Sequence, residues 1–339
     1  MSGKVSDNVG RSSGLVKAAP GGISTVAGDK SSPTVGDVWY NSSTGKLRTY
    51  IAANAWSAGG DLGTARNSAM GFGIKSAAAV AGGNHPALGT TEEYDGSSWS
   101  AGGATNTDAH GTAQGGLQAA GIKAGGYTSD TTAGAETYDG STWTAITNLP
   151  AVRYEPGGLG TQTAFAVFAG GGTPTDTTYI WNGSSWATGG TLNTPLHYAN
   201  GCGTTSAGLS VGGLNPTPVT IDVVEEYNGT DWTTVTSYPT TITHRPVGGL
   251  QTDALVVGGK TNNAPSAVTD DCYSYDGTNW TQTTDFPNTS YLGGMSKNDT
   301  AASGATICFG GSNNTASPEA TAANTYHWAG TTNLTISTE

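Results

Sequence analysis

Histidines, cysteines and paired acids are the residues of this chain whose side chains could carry chemistry. The five histidines, His85, His110, His197, His244 and His327, are dispersed, and none stands at metal-ligand spacing from a Cys or Glu. No metal site and no cofactor is expected. Cys202, Cys272 and Cys308 form neither a CxxC pair nor an even disulfide framework, and read as small buried apolar residues. No strand-to-helix nucleophile elbow and no phosphate-cradling loop is expected. Glu92-Glu93, Glu225-Glu226 and Asp270-Asp271 are adjacent acids. Neighbours along a strand point to opposite faces, so none of these pairs makes a glycosidase dyad. Solvated or sheet-edge positions are expected for them. No catalytic residue emerges, and the chain is not expected to be an enzyme.

One constellation recurs. Arg66, His110, Arg153, His197 and the adjacent His244 and Arg245 each precede a Gly-rich segment at nearly regular intervals, and Tyr291 takes the place in the last copy. Arranged around an axis, equivalent positions converge on one mouth of a channel. Two readings stay open. The residues form a pocket for an anionic or hydroxyl-rich ligand, or they tie neighbouring sheets together through backbone carbonyls.

The elements that must position these residues are repeats. EEYDGSSW, ETYDGSTW, YIWNGSSW, EEYNGTDW and YSYDGTNW end at Trp99, Trp143, Trp186, Trp232 and Trp280, 43–48 residues apart. Five positions before each Trp stands an aromatic: Tyr94, Tyr138, Trp181, Tyr227 and Tyr275. Asp-Gly or Asn-Gly between the two is a strong hairpin signal. Tyr50 to Trp56 and Trp328 to Leu334 read as degenerate flanking copies, each stretched by one residue. A short run of small or apolar residues also ends in a glycine pair at the same period. The pairs are Gly82-Gly83, Gly125-Gly126, Gly170-Gly171, Gly212-Gly213, Gly258-Gly259 and Gly310-Gly311, where unusual backbone angles or close approach are expected. Each unit therefore reads as four strands: Gly-rich and innermost, ending in Gly-Gly, carrying the Tyr, and carrying the Trp. Such a sheet buries both faces only by stacking on neighbours, with each buried aromatic contributing roughly 1.5–3 kcal/mol.

Composition agrees with a turn-rich all-β protein. Of 339 residues only 11% are charged and 53 are Gly, yet nine Trp and 14 Tyr argue against disorder. The net charge of −12 makes nucleic acid an unfavourable partner. The charge is uneven: residues 1–48 hold six Lys or Arg against three Asp, and the remainder seven against 22 acids. No apolar run is long enough for a membrane span, and the N-terminus lacks the apolar core of a signal peptide, so the protein is expected to be cytoplasm-made without membrane insertion.

The order Arg, Gly-Gly, Tyr, Trp resembles the kelch repeat over residues 57–339. The resemblance implies a kelch-like β-propeller with six full four-stranded repeats over 57–334. Residues 37–58 add an N-terminal three-stranded unit, with strands at 38–41, 46–51 and 55–58, read either as a partial blade or as a hairpin module. Seven blades are favoured over six, because Tyr50 and Trp56 mimic the repeat. Residues 1–36 read as an extended attachment arm. The segment GDVWYNSSTGKLRTY, within 36–58, is similar to a module of tail-fibre and other virion structural proteins of tailed bacteriophages. That resemblance implies location in the virion, anchoring to other virion proteins through residues 1–36, and homo-oligomers or a symmetric array on the particle. The body then binds a host-surface glycan or protein, with loops 261–271 and 312–324 as contact candidates. A head decoration or collar subunit is the alternative, and a carbohydrate-active enzyme the second.

Overall fold

The structure, a computed structural model, describes residues 24–28, 37–83, 88–262, 267–289, 291, 293–296, 306–312 and 321–336. His85, the loop segments 263–266 and 313–320, and most of the arm expected over 1–36 lie outside the described residues, as do the side chains of Tyr50 and Leu334. The chain divides into two compact units, Met1–Asn54 with Ala329–Glu339, and Ala55–Trp328.

In the first unit, Val38–Asn41 pairs antiparallel with the start of the strand Lys46–Ala58, matching Val38 to Thr49 and Asn41 to Lys46. The Asn41 carboxamide oxygen accepts from the amides of Ser43 and Thr44, both at 3.1 Å, which closes the turn. Ser24–Val26 adds a parallel strand beside Trp39–Asn41. Two of the expected N-terminal strands, 46–51 and 55–58, are in fact one continuous strand. Likewise Trp328 to Leu334 forms no hairpin but lies within the strand Thr325–Ile336. The spacing of the aromatics imitates the repeat, but neither segment has Asp-Gly or Asn-Gly between them to turn the chain.

The second unit is built from four-stranded antiparallel sheets in a propeller-like repeat architecture. The first sheet comprises Met70–Ile74, Ala77–Ala81, Thr91–Tyr94 and Trp99–Ala101. The second comprises Ala113–Leu117, Ala120–Ala124, Ala135–Tyr138 and Trp143–Ala145. The third comprises Gly157–Gly160, Phe165–Phe168, Thr178–Trp181 and Trp186–Thr188. The fourth comprises Asn200–Thr204, Ala207–Leu214, Thr220–Tyr227 and Trp232–Thr234. The fifth comprises Val247–Leu250, Asp253–Lys260, Val268–Tyr275 and Trp280–Gln282. The sixth draws on both ends of the unit: Gly294–Met295, Ile307–Phe309, the start of Thr325–Ile336 and the end of Lys46–Ala58. Residues 55–58 thus supply the outer strand of the sixth sheet rather than a separate third strand of the N-terminal unit, whose strands are Ser24–Val26, Val38–Asn41 and the start of Lys46–Ala58.

Within each of the first five sheets the repeating aromatic is the direct cross-strand partner of its Trp, as in Tyr94 with Trp99 and Tyr275 with Trp280. Their ring centroids lie 4.6–5.3 Å apart. Trp328 and Trp56 reproduce this pair in the sixth sheet at 4.9 Å, from opposite ends of the unit.

The sheets are tied by side chains that follow the repeat. Trp143 and Trp232 donate Nε1 to Thr91 and Thr178 of the preceding sheets at 2.8 and 2.9 Å, and Trp99 donates to Thr325 of the sixth sheet at 2.8 Å. Gln118, Gln162 and Gln251 each donate to two carbonyls of the preceding sheet, one of them from its repeat Tyr. The innermost strands of consecutive sheets touch from the first to the fifth, and that of the sixth touches that of the first. Gly248 of the fifth sheet faces Met295 of the sixth.

All twelve residues of the glycine pairs have φ between 52° and 132°. At Gly212 an added Cβ would stand 2.5 Å from the Ile242 carbonyl, so the close approach of the next sheet requires glycine as well. The amides of Gly126, Gly213 and Gly311 donate to Arg153, Ile242 and Arg66 of the following sheets at 2.7–3.0 Å.

Candidate binding site

One residue in each of the first five sheets adopts a left-handed conformation just before the innermost strand: Ser68, Gly111, Glu155, Tyr198 and His244, with φ of 49–58°. Each lies five positions before a positive-φ glycine of that strand, Gly73, Gly116, Gly160, Gly203 and Gly249. Four are not glycine, and such strained conformations persist only where surrounding structure holds them. Backbone bonds link the series, from Gly111 N–H to the Ser68 carbonyl at 3.0 Å and from Glu155 N–H to the Gly111 carbonyl at 3.1 Å.

Around these positions runs a chain of rings. Tyr127 lies 5.5 Å from His110 and from Tyr154, and Tyr154 lies 5.8 Å from Tyr198. Tyr198 lies 4.5 Å from His197 and 4.0 Å from His244, and His244 lies 6.4 Å from Tyr291. The Lys260 ammonium sits 3.8 Å from the centroid of Tyr291. Tyr291 is buried, whereas Tyr127, Tyr154, Tyr198 and the three histidines are half-buried.

Of the seven positions read from sequence as a channel mouth, the structure brings His110, His197, His244 and Tyr291 into this chain of rings. The three arginines occupy other places. Arg66 is buried, ion-paired with Glu92, and donates Nη1 to the carbonyls of Gly82 at 2.8 Å and Thr90 at 3.1 Å. Arg153 stacks over Tyr179 at 4.8 Å and donates to the Val152 carbonyl. Arg245 stacks over Tyr238 at 5.3 Å and donates to the Val211 carbonyl. The positions are also out of register: counting back from the inner-strand glycine puts Arg66 and Arg153 one residue before His110 and His197, and Arg245 two after.

Glu92 and Glu225 are buried ties rather than solvated edges, whereas Asp270 and Asp271 are half-buried. Glu92 accepts from the amides of Gly63 and Thr64 at 2.6 and 3.2 Å. Glu225 accepts from Asn193 and Thr194, and Glu136, in the equivalent place, from Asn106, Thr107 and the Lys123 ammonium. Their neighbours Glu93 and Glu226 point to the opposite face and accept from Tyr138 and Tyr275 hydroxyls of the following sheets, at 2.8 and 3.0 Å. A loop backbone with several unsatisfied N–H groups is held by one carboxylate, which explains the burial.

The electrostatics of the ring chain are those of a weakly charged surface. Burial pushes the His244 imidazole down to about 3 and lowers His197, so both are neutral at pH 7. Burial holds the Tyr154 and Tyr198 hydroxyls protonated. Glu155 is 6% exposed and burial raises its carboxyl to about 7. Its carboxylate rests against Gly111, where a Cβ would come within 2.6 Å of Oε1. Among the described residues no group of three His, Cys, Asp or Glu is placed to hold a metal ion.

Sequence reading missed Tyr127, Tyr154, Glu155 and Tyr198. Anchoring the units on their arginines slipped the register by one; anchoring on the inner-strand glycine would have aligned Glu155, Tyr198 and His244. Comparison with models of known families and with curated protein sequences finds no match to this chain.

Proposed function

We propose that residues 55–328 form a kelch-like β-propeller of six blades, and that one mouth of its axis binds a glycan on a host surface. The chain of rings from Tyr127 to Tyr291 supports the ligand class: aromatic faces stack on sugar rings, and neutral imidazoles with phenolic hydroxyls supply hydrogen bonds without a large desolvation cost. With the arginines engaged by backbone carbonyls, tyrosine faces and Glu92, the mouth suits a hydroxyl-rich ligand better than a polyanion. Cyclic contacts of the innermost strands and the Trp56–Trp328 pair support the closed ring.

The similarity of residues 36–58 to bacteriophage tail-fibre modules supports the setting: a virion appendage protein anchored through its N-terminal segment. Saturation-transfer NMR of the full chain against host-surface oligosaccharides tests the ligand, and Tyr198→Ala is expected to abolish the transfer while leaving the melting temperature within a few degrees. Immunogold labelling of intact particles tests the setting. Gold at tail or fibre tips fits host recognition; gold over head or collar overturns it in favour of a structural subunit.

A further inference from the structure

Within the mouth, Ser68, Glu155, Tyr198, Asn200, His244 and Gly293 line a small crevice of about 20 Å³. That is room for one water or one hydroxyl edge, not for a ring. Glu155 is the carboxylate in it. Its partners are conspicuous by comparison with its buried counterparts: Glu92, Glu136 and Glu225 each accept from two or more donors, whereas no described residue donates to the Glu155 carboxylate. A largely buried carboxylate whose oxygens open only onto the crevice draws its donors from there, at a position where Ser68 and Gly111 serve in other sheets. The left-handed backbone at φ 49° adds strain to the same residue. A side chain that is buried, strained and unpartnered, and that faces a hydroxyl-sized crevice, fits an acceptor awaiting a donor.

Resting on the glycan reading above, we infer that Glu155 accepts hydrogen bonds from a vicinal diol of a neutral sugar, whose ring stays outside the crevice against Tyr154 and Tyr198. A carboxylate has two oxygens at the spacing of adjacent hydroxyls and binds such a diol with paired, charge-assisted bonds. The same carboxylate repels a sugar acid, which gives the site its selectivity: neutral hexoses over uronic acids.

Calorimetric titration of the full chain with methyl glucoside, methyl galactoside, methyl mannoside and glucuronic acid, repeated on Glu155→Gln, tests this. The expected result is binding of at least one neutral glycoside, at least tenfold weaker binding of glucuronic acid, and about tenfold loss in the variant. Glu155→Asn, whose side chain tolerates the left-handed region, provides a second variant if Gln impairs folding. Glycoside binding that is unchanged in both variants overturns the role of Glu155 and leaves the glycan mouth standing. Tighter binding of glucuronic acid than of the glycosides also overturns it. No binding of any of the four sugars to the wild type overturns the glycan reading, and this inference with it.

Discussion

The Tyr94 hydroxyl lies 2.6 Å from Nε2 of His327, across 233 residues of sequence. In the second and fifth sheets the repeat tyrosine makes the same kind of contact with the preceding sheet, Tyr138 with Glu93 and Tyr275 with Glu226. His327 therefore stands for the sixth sheet where Glu93 stands for the first, and one rule of contact joins the last sheet to the first.

His327→Ala is expected to cost about 1–2 kcal/mol, the worth of a partly buried hydrogen bond and its packing. Burial lowers the His327 imidazole below its ordinary value of 6.5, and His197 and His244 are lowered too. A lowered folded-state value means that the unfolded chain takes up the proton first. The stabilisation is present above pH 6.5 and is lost as pH falls below it. Against the opposite contribution of Glu155, the His327 share is read as a difference: from pH 7 to pH 5 the urea midpoint of the wild type should fall relative to that of His327→Ala.

Trp56 carries the closing strand. Its ring packs at 4.9 Å from both Trp328 and Phe286, and Nε1 donates to the Thr284 carbonyl at 3.1 Å. Trp56→Ala should destabilise the second unit by about 3–5 kcal/mol. A drop in melting temperature on the order of 10 °C, read by calorimetry, is the expected outcome.

Arg153→Ala separates tie from ligand contact. With the guanidinium stacked on Tyr179 rather than facing the mouth, the variant should lose about 1–3 kcal/mol of stability while sugar affinity in the folded protein stays within twofold. Loss of affinity at unchanged stability would return Arg153 to the binding site.

Glu155 makes stability and pH run in the opposite sense to the histidines. Its folded-state value is raised to about 7 from 4.5, so the unfolded chain ionises first and stability is lost as pH rises between these values. Glu155→Gln removes this loss, and the variant should exceed the wild type by about 2–3 kcal/mol at pH 8 and match it near pH 4. Chemical denaturation at the two pH values decides it.

Gln162 bridges the second and third sheets through the carbonyls of Gly121 at 3.1 Å and Tyr138 at 2.8 Å. Gln162→Ala should cost about 1–2 kcal/mol, checked by denaturant midpoints. Gln118 and Gln251 repeat the arrangement, and the period that relates the three is visible in sequence once the turns are aligned.

Sequence alone determined the repeating unit. Tyr and Trp across an Asp-Gly turn are local signals, because a hairpin places residues five apart opposite one another whatever surrounds it. Asp95 and Asp139 show how local: amides two and three residues on hold each carboxylate down to about 2. The glycine pairs were legible for the same reason, since positive φ is a property of one residue. Tertiary structure decided what those signals could not. Trp56 and Trp328 looked like two worn repeats, and only pairing between the ends of the unit made them one aromatic pair in one sheet. The arginines looked like a ring, but each guanidinium turns elsewhere: Arg66 to Gly82, Thr90 and Glu92 of its own sheet, Arg153 to Tyr179, and Arg245 to Tyr238 and to the Val211 carbonyl of the preceding sheet. The rings of Tyr154, Tyr198 and His244 come together because strands hundreds of atoms apart along the chain begin side by side, and a proximity created by stacking leaves no mark on the spacing within any single unit.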